Sequence, residues 1–128
     1  MKLLLDTHQL LWETEDSPRL SPVARRAIAN RGDHLIFSVA SLWEIAINHA
    51  KGLGSFQADP GFVREALLES GYIELDVTGR HVVAVGRLPS IHKDPIDRIL
   101  IAQAIVEGIT LLTKDSVVAK YPGPIRKV

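Results

Sequence analysis

Short apolar runs alternate with longer amphipathic stretches along the 128 residues of the chain. Runs of four or five apolar residues are typical of strands buried in a sheet, whereas apolar residues spaced three or four apart indicate a helix with one buried face. Strands that alternate with helices indicate crossover connections. We therefore predict a three-layer α/β/α sandwich around a mainly parallel, four- to five-stranded sheet. The predicted strands cover residues 2–5, 34–37, 72–77, 109–113 and 125–128.

Proline and glycine mark the ends of the predicted helices. Ser21-Pro22, Asp59-Pro60 and Asp94-Pro95 each combine a capping side chain with a proline that suits the first helical turn. Gly108 supplies a stop signal after the most apolar helix. The predicted helices span residues 22–31, 60–70, 78–88 and 96–107, one more starts at Ser38 or Ser41 and stops near Gly52 and Gly54, and a short one starts at Asp115 or Ser116.

Composition limits the class of protein. With 46% apolar and 23% charged residues, the chain has the profile of one compact domain over residues 1–128. The absence of cysteine excludes a thiol nucleophile, a disulfide framework and a cysteine zinc site. No apolar run reaches the roughly 20 residues that span a bilayer, and the first residues do not resemble a secretory signal. We expect a cytoplasmic protein with no membrane association. Because 15 basic residues balance 15 acidic ones, any contact with nucleic acid must be local.

Two acidic residues follow predicted strands. Asp6 comes directly after the first strand, and Asp115 lies two residues beyond the strand that ends at Thr113. Ligands of open α/β sheets bind at the carboxyl ends of the strands, so both positions are candidate site residues. Either could equally be an ordinary turn or capping residue, because aspartate is common in such loops.

Two further acids stand in the neighbouring helices. Glu44 has a structural alternative, because Ser41 and Glu44 have the spacing of a capping box. Asp97 lies in a helix with hardly any polar face, where an unpaired charge costs several kcal/mol. Arg98 is the nearest cation, but adjacent helical residues point about 100° apart. A metal ion explains Asp97 better than an ion pair does.

If these four acids converge, a divalent cation is needed to hold them together. Two carboxylates ~4 Å apart repel by about 4 kcal/mol at an effective dielectric near 20. Ligands that are all oxygen favour Mg²⁺ or Mn²⁺, and such ions suit phosphodiester hydrolysis. Asp94 is a fifth nearby acid, which we interpret mainly as a helix cap. The predicted ligands are Asp6, Glu44, Asp97 and Asp115.

Other catalytic motifs are absent from the sequence. There is no HxxxH pair, nucleophile elbow, Walker loop or dinucleotide-binding glycine motif. We interpret most of the five histidines as surface residues or as supports around a site. Trp12 and Trp43 are interpreted as core or interface residues rather than as base-stacking platforms.

Four motifs in this order and spacing resemble the PIN-domain family, specifically the VapC-type toxins of bacterial toxin–antitoxin pairs. The resemblance covers nearly the whole chain. The motifs are LLDTH at 4–8 followed by LW at 11–12, SLWEIAI at 41–47, DPIDRILIAQA at 94–104 and LLTKD at 111–115.

The resemblance implies a Mg²⁺- or Mn²⁺-dependent ribonuclease in which Asp6, Glu44, Asp97 and Asp115 bind the metal. It also implies a homodimer and a cognate antitoxin whose C-terminal segment covers the site. Small hydroxyls at three strand ends match positions that support the site in relatives; these are Thr7, Ser38 and Thr113. Four basic residues are candidates for RNA contact, with an equal alternative as ordinary solvated side chains: Lys51, Lys93, Arg98 and Lys114.

Two other functions remain open from the sequence. One is a different metal-dependent phosphohydrolase that acts on DNA or on a small phosphate ester. The other is a protein-binding module without activity, either a degenerate PIN domain or a receiver-like domain. The receiver-like reading has less support, because receiver domains cluster adjacent acids early and here only Asp6 stands at the end of the first strand.

Overall fold

The computed structural model of the protein describes residues 1–30, 32–52 and 58–128. Arg31, the predicted last residue of one helix, and Gly54, a predicted stop signal, lie outside the described residues. Five strands are present: β1 (Lys2–Leu5), β2 (His34–Ser38), β3 (Ile73–Leu75), β4 (Thr110–Thr113) and β5 (Ile125–Lys127). The six α-helices of the described residues are α1 (Thr7–Thr14), α2 (Pro22–Ala29), α3 (Val39–Ala50), α4 (Pro60–Glu69), α5 (Gly79–Val85) and α6 (Pro95–Glu107).

The five strands form one sheet in the order β3-β2-β1-β4-β5. The pairings between the described strands are all parallel, and Leu4 of β1 pairs with Ile36 on one side and with Leu111 on the other. This confirms the predicted parallel sheet and gives it five strands. Because the strands are parallel, their carboxyl ends meet at one edge, where Asp6 follows β1 and Ser38 ends β2.

Helices cover both faces of the sheet. Leu3 and Leu5 point into one apolar cluster and Leu4 into the other, as alternate residues of a strand must. Helices α1, α2 and α4 pack on the first face, while α6 covers the second and packs against α5. A strand buried on both faces needs consecutive apolar residues, and Leu3, Leu4 and Leu5 supply them, whereas Lys2 at the start of β1 is exposed.

Several boundaries differ from the prediction. Helix α1 was not predicted; it begins at Thr7 because the side chain of Asp6 accepts a hydrogen bond from the backbone N–H of Gln9. The helix predicted over 78–88 ends at Val85, and the short helix predicted after Asp115 is a single 3₁₀ turn, Val118–Lys120. No helix in the described part of the chain combines the length and apolar content that a membrane crossing requires.

Helix α6 ends at Gly108, as predicted. Gly108 adopts the left-handed conformation, with φ 66° and ψ 37°, and its backbone N–H donates to the carbonyl of Ala104. A side chain added there would meet no atom within 4 Å, so the constraint is purely conformational.

We expect Gly108→Ala to lower the free energy of unfolding by about 1 kcal/mol, because an L-residue is strained at positive φ. Gly79→Ala is the matched control: Gly79 begins α5 without positive φ, and its added methyl group is also in open space. Urea unfolding followed by circular dichroism measures both. An equal effect of the two substitutions would contradict the assigned backbone strain.

Candidate metal centre

Asp6 is a buried carboxylate at the carboxyl end of β1, only 7% exposed. Its Oδ1 accepts a hydrogen bond from the backbone N–H of Gln9 at 2.9 Å, and its Oδ2 accepts one from Thr113 Oγ1 at 2.6 Å. Burial raises the pKa of Asp6; the bonds from Thr113 and Gln9 oppose that change, and the negative charge of Asp115 adds to it. Asp6 therefore acts both as the cap of α1 and as a member of an acidic group.

Glu44 lies in the second turn of α3 and does not cap it. The helix begins at Val39, because the Ser38 side chain accepts from the backbone N–H of Ala40. The capping-box interpretation of Glu44 is therefore wrong, since the helix starts three residues earlier than that reading requires. Burial raises the pKa of Glu44, and the negative charges of Asp94 and Asp6 raise it further.

The hydroxyls of Thr7 and Ser41 join α1 to α3 beside these acids. Thr7 Oγ1 lies 3.0 Å from Ser41 Oγ, and both residues are buried. The Thr7 hydroxyl also lowers the pKa of Glu44 by hydrogen bonding. Because a hydroxyl has a single proton, Thr7 donates to either Ser41 or Glu44 at one time. The pair keeps the helix that carries Glu44 next to the end of β1.

Asp97 lies in the first turn of α6. Burial raises the pKa of Asp97 to about 6; the hydrogen bond with His92 opposes this, while the negative charges of Asp94 and Asp6 add to it. Asp94 caps α6, because its Oδ1 accepts from the backbone N–H groups of Ile96 at 2.9 Å and of Asp97 at 3.1 Å. The predicted capping role of Asp94 is confirmed, and its charge also acts on the acidic group.

His92 stands between two of the predicted ligands. Its Nε2 lies 2.8 Å from Asp97 Oδ2 and 4.0 Å from Asp115 Oδ2. The other oxygen of Asp115 accepts from the backbone N–H of Val117 at 2.7 Å, so Asp115 both holds the following turn and faces the site. Sequence reasoning did not place His92 here. Its position two residues before the capping Asp94 is the signal that could have found it.

Arg98 fixes the segment that carries His92. Its guanidinium donates to the carbonyl oxygens of Pro89, at 2.9 Å, and of Val85, at 3.1 Å. It also donates to the hydroxyl of Tyr121, which accepts from the backbone N–H of His92 at 2.7 Å. Arg98 therefore stabilises the segment before α6 by hydrogen bonding. The side chain that pairs with the Asp97 carboxylate is His92.

The predicted ligands are coupled electrostatically through Asp6. The charge of Asp115 contributes to the raised pKa of Asp6, and the charge of Asp6, after that of Asp94, contributes to the raised pKa values of Glu44 and Asp97. In the described part of the chain, one group offers ligand atoms that all lie within 4.8 Å of one another: His92, Asp94 and Asp97. Of the four predicted ligands, only Asp97 belongs to this group, whose members are two carboxylates and one imidazole. Carboxylate oxygens are the ligands that hard dications such as Mg²⁺ and Mn²⁺ prefer, so the carboxylates here fit such an ion. The positive charge of such an ion would stabilise the charged forms that burial, and to a smaller extent mutual repulsion, disfavours here.

His81 differs from the prediction that most histidines are surface residues or supports around a site, whereas His92 agrees with it. It is fully buried, accepts from the backbone N–H of Thr78 through Nδ1 at 3.0 Å, and lies 2.7 Å from Glu107 through Nε2. Because Nδ1 accepts a hydrogen bond, the ring proton is on Nε2, and this N–H donates to the carboxylate of Glu107. His81 therefore caps α5 and anchors it to α6, and it supports the fold instead of the site.

A family model described as PIN domain matches residues 3–124 of the chain. Among solved structures, VapBC2 from Rickettsia felis bound to a DNA fragment from their promoter matches with a TM-score of 0.73 at 16% identity, covering 99% of this chain and 98% of that one. DNA-bound VapBC from Salmonella typhimurium matches with a TM-score of 0.70 at 20% identity and the same coverage.

A toxin–antitoxin complex from Klebsiella pneumoniae matches with a TM-score of 0.65 at 18% identity, covering 98% of this chain and 99% of that one. At these identities the likeness to solved structures concerns the fold. A search of curated protein sequences gave no match.

The raised pKa of Asp97 predicts a pH-dependent gain in stability for Asp97→Asn in the absence of divalent ions. The pKa is about 6 in the folded chain against an ordinary 3.8. The folded state therefore binds more protons between these pH values, and the free energy of unfolding falls as pH rises through that window. An asparagine at this position has no proton to lose and keeps an oxygen for His92. We expect D97N to be more stable than the parent above pH 6, by at most about 3 kcal/mol.

Urea unfolding in EDTA between pH 4 and pH 7 measures this difference. The control is Glu69→Gln, an exposed carboxylate at the end of α4. If the free energy of unfolding changed with pH in the same way for D97N and for the parent, the burial of charge at Asp97 would be contradicted.

Proposed function

Because the chain belongs to the PIN-domain family, we propose that it is a divalent-metal-dependent endoribonuclease toxin of the VapC type. One observation carries the proposal: Asp6, Glu44 and Asp97, from distant parts of the chain, lie at the carboxyl edge of one parallel sheet. Burial first, and the charge of a neighbouring acid second, raises the pKa of each carboxyl group. A fold that holds unfavourable charges together without a cation loses stability, so such a cluster is best explained by a ligand.

The carboxylates of Asp6, Glu44, Asp97 and Asp115 would hold Mg²⁺, with Mn²⁺ as a substitute. A dication bound there supplies Lewis-acid activation of water and of the phosphodiester. The chain itself supplies orientation. Thr113 fixes one oxygen of Asp6, and His92 fixes one oxygen of Asp97. Hydrolysis by water leaves a 5′-phosphate and a 3′-hydroxyl.

We further propose a cognate antitoxin as protein partner, and a homodimer as the assembled form of the chain. Support for a protein partner comes from an apolar groove between α3, α5 and the start of α6. Trp43 and Val82 line it and are 62% and 57% exposed. Pro95 and Ile96 also line the groove, so its end adjoins the turn that carries Asp97. An antitoxin segment in this groove would reach the carboxylates.

Divalent ions should stabilise the folded chain, because a ligand that binds only the folded state adds to its stability. We expect Mn²⁺ at about 100 times its dissociation constant to add about 2.7 kcal/mol, seen as a higher melting temperature. Asp6→Asn and Asp97→Asn should lose most of this increase, each compared with itself in EDTA. Glu69→Gln should keep it. Equal shifts in all four proteins would place the ions elsewhere, and no shift in the parent would favour a protein-binding module without activity.

The purified chain, free of antitoxin, should cut RNA with Mg²⁺ or Mn²⁺ and stop in EDTA. Asp97→Asn should lower the rate at least about 100-fold, since it removes a charge that holds the activating ion. Glu69→Gln should cut like the parent. A panel of structured RNA, unpaired RNA, DNA and small phosphate esters separates this activity from other phosphohydrolases. Cleavage by D97N at the rate of the parent would refute the proposed role.

A further inference from the structure

A small pocket with an aromatic and a basic wall opens beside the acidic group. Its lining residues are Asp6, His8, Trp12, Lys114 and Asp115, and its volume is about 230 Å³. Two of these residues are predicted metal ligands, so the pocket belongs to the space where the scissile phosphodiester would lie. The other three are not used by the metal chemistry proposed above.

The aromatic wall comes from α1. His8 and Trp12 are four residues apart on this helix and therefore share one face. Their ring centroids lie 5.5 Å apart at an interplanar angle of 39°. Trp12 is partly buried and His8 is exposed, so the indole is held by the protein while part of its surface borders the pocket. This position beside the acids is what favours base stacking over the core or interface role interpreted from the sequence.

The basic wall comes from the residue after β4. Lys114 Nζ lies 5.6 Å from the centroid of the Trp12 ring, which is cation–π geometry. Lys114 is exposed, so its ammonium can leave the ring and reach another anion. Thr113, the residue before Lys114, donates a hydrogen bond to Asp6, the residue before α1. This bond holds the basic wall next to the aromatic wall.

We propose that this pocket binds the nucleotide next to the scissile phosphodiester, with its base against Trp12 and its phosphate at Lys114, so that the substrate is RNA unpaired at that nucleotide. The inference rests on the proposed nuclease function and names its substrate class. A base stacks on the ring face that Lys114 covers in the free protein, and the displaced ammonium pairs with the phosphate. A base within a duplex is already stacked on its neighbours and presents no free face.

The kinetic test compares two replacements of Trp12. Trp12→Phe keeps an aromatic face, whereas Trp12→Leu keeps apolar volume without one. With an RNA that the parent cuts, we expect W12L to lower kcat/KM by about 5- to 100-fold, mainly through KM, and W12F to lose much less. Lys114→Met should weaken RNA binding and reduce the dependence of binding on salt concentration. Lys114→Arg keeps the charge, so both quantities should stay close to those of the parent. Equal losses in W12F and W12L would show a packing role and overturn the proposal.

A second test needs no cleavage. The chain has two tryptophans, so Trp43→Phe leaves Trp12 as the only indole reporter. In the Trp43→Phe and Asp97→Asn double variant, at low salt with EDTA, a single-stranded oligoadenylate should quench the fluorescence of Trp12 to saturation. The same strand paired with oligouridylate should quench much less. Adding Lys114→Met to this double variant should raise the oligoadenylate concentration at which the fluorescence of Trp12 is half quenched.

The two tests separate failure of the inference from failure of the nuclease proposal. If the parent cuts RNA but W12L cuts as well as W12F and the oligoadenylate does not quench Trp12, the stacking assignment is wrong and the nuclease stands. If no nucleic acid is cut under any metal condition, the nuclease proposal fails, whereas quenching still reports whether the pocket takes an unpaired base. Equal quenching by single and paired strands would overturn the substrate class.

Discussion

The hydrogen bond from the Thr113 hydroxyl to the Asp6 carboxylate is the contact on which the whole edge of the sheet depends. It joins the carboxyl ends of β1 and β4, which are neighbours at the centre of the sheet. It also leaves Asp6 with one oxygen bound to the start of α1 and the other bound to the strand that leads to Asp115. Because both oxygens are held, a buried carboxylate keeps one orientation despite the cost of its burial.

The carboxylates at the carboxyl edge of the sheet lower the stability of the folded state, and the rest of the fold compensates for this cost. Asp6, Glu44 and Asp97 all have raised pKa values because burial disfavours their charged forms. The surrounding polar contacts fix the segments that carry them: Thr7 and Ser41 join two helices, and Arg98 holds the turn before α6. Burying these carboxylates lowers the free energy of unfolding, a loss of stability that is common at functional sites.

The sequence predicts most of the fold, because the signals that define its elements are local. The apolar run of β1, the Asp94 cap of α6 and the Gly108 stop each depend on a few adjacent residues. The sequence offers a turn or capping role for Asp6 but no helix after it, and the structure shows that Asp6 caps α1. The role of His92 depends on the fold, since Arg98 and Tyr121 must hold its backbone before its ring can meet Asp97. The capping-box reading of Glu44 is wrong for a local reason, because Ser38 and not Ser41 caps α3.

The strand order has a consequence for the way this protein acquires its structure. Leu3 of β1 pairs with Thr110 of β4, so two adjacent central strands are separated by about a hundred residues of chain. Pairings between such distant segments cost much loop-closure entropy and lower the folding rate. We therefore expect β4 to pair with β1 late in folding, in the step that also brings Asp115 beside Asp6. On this order of events, a chain without the β1–β4 pairing would also lack the group of carboxylates that the two strand ends bring together.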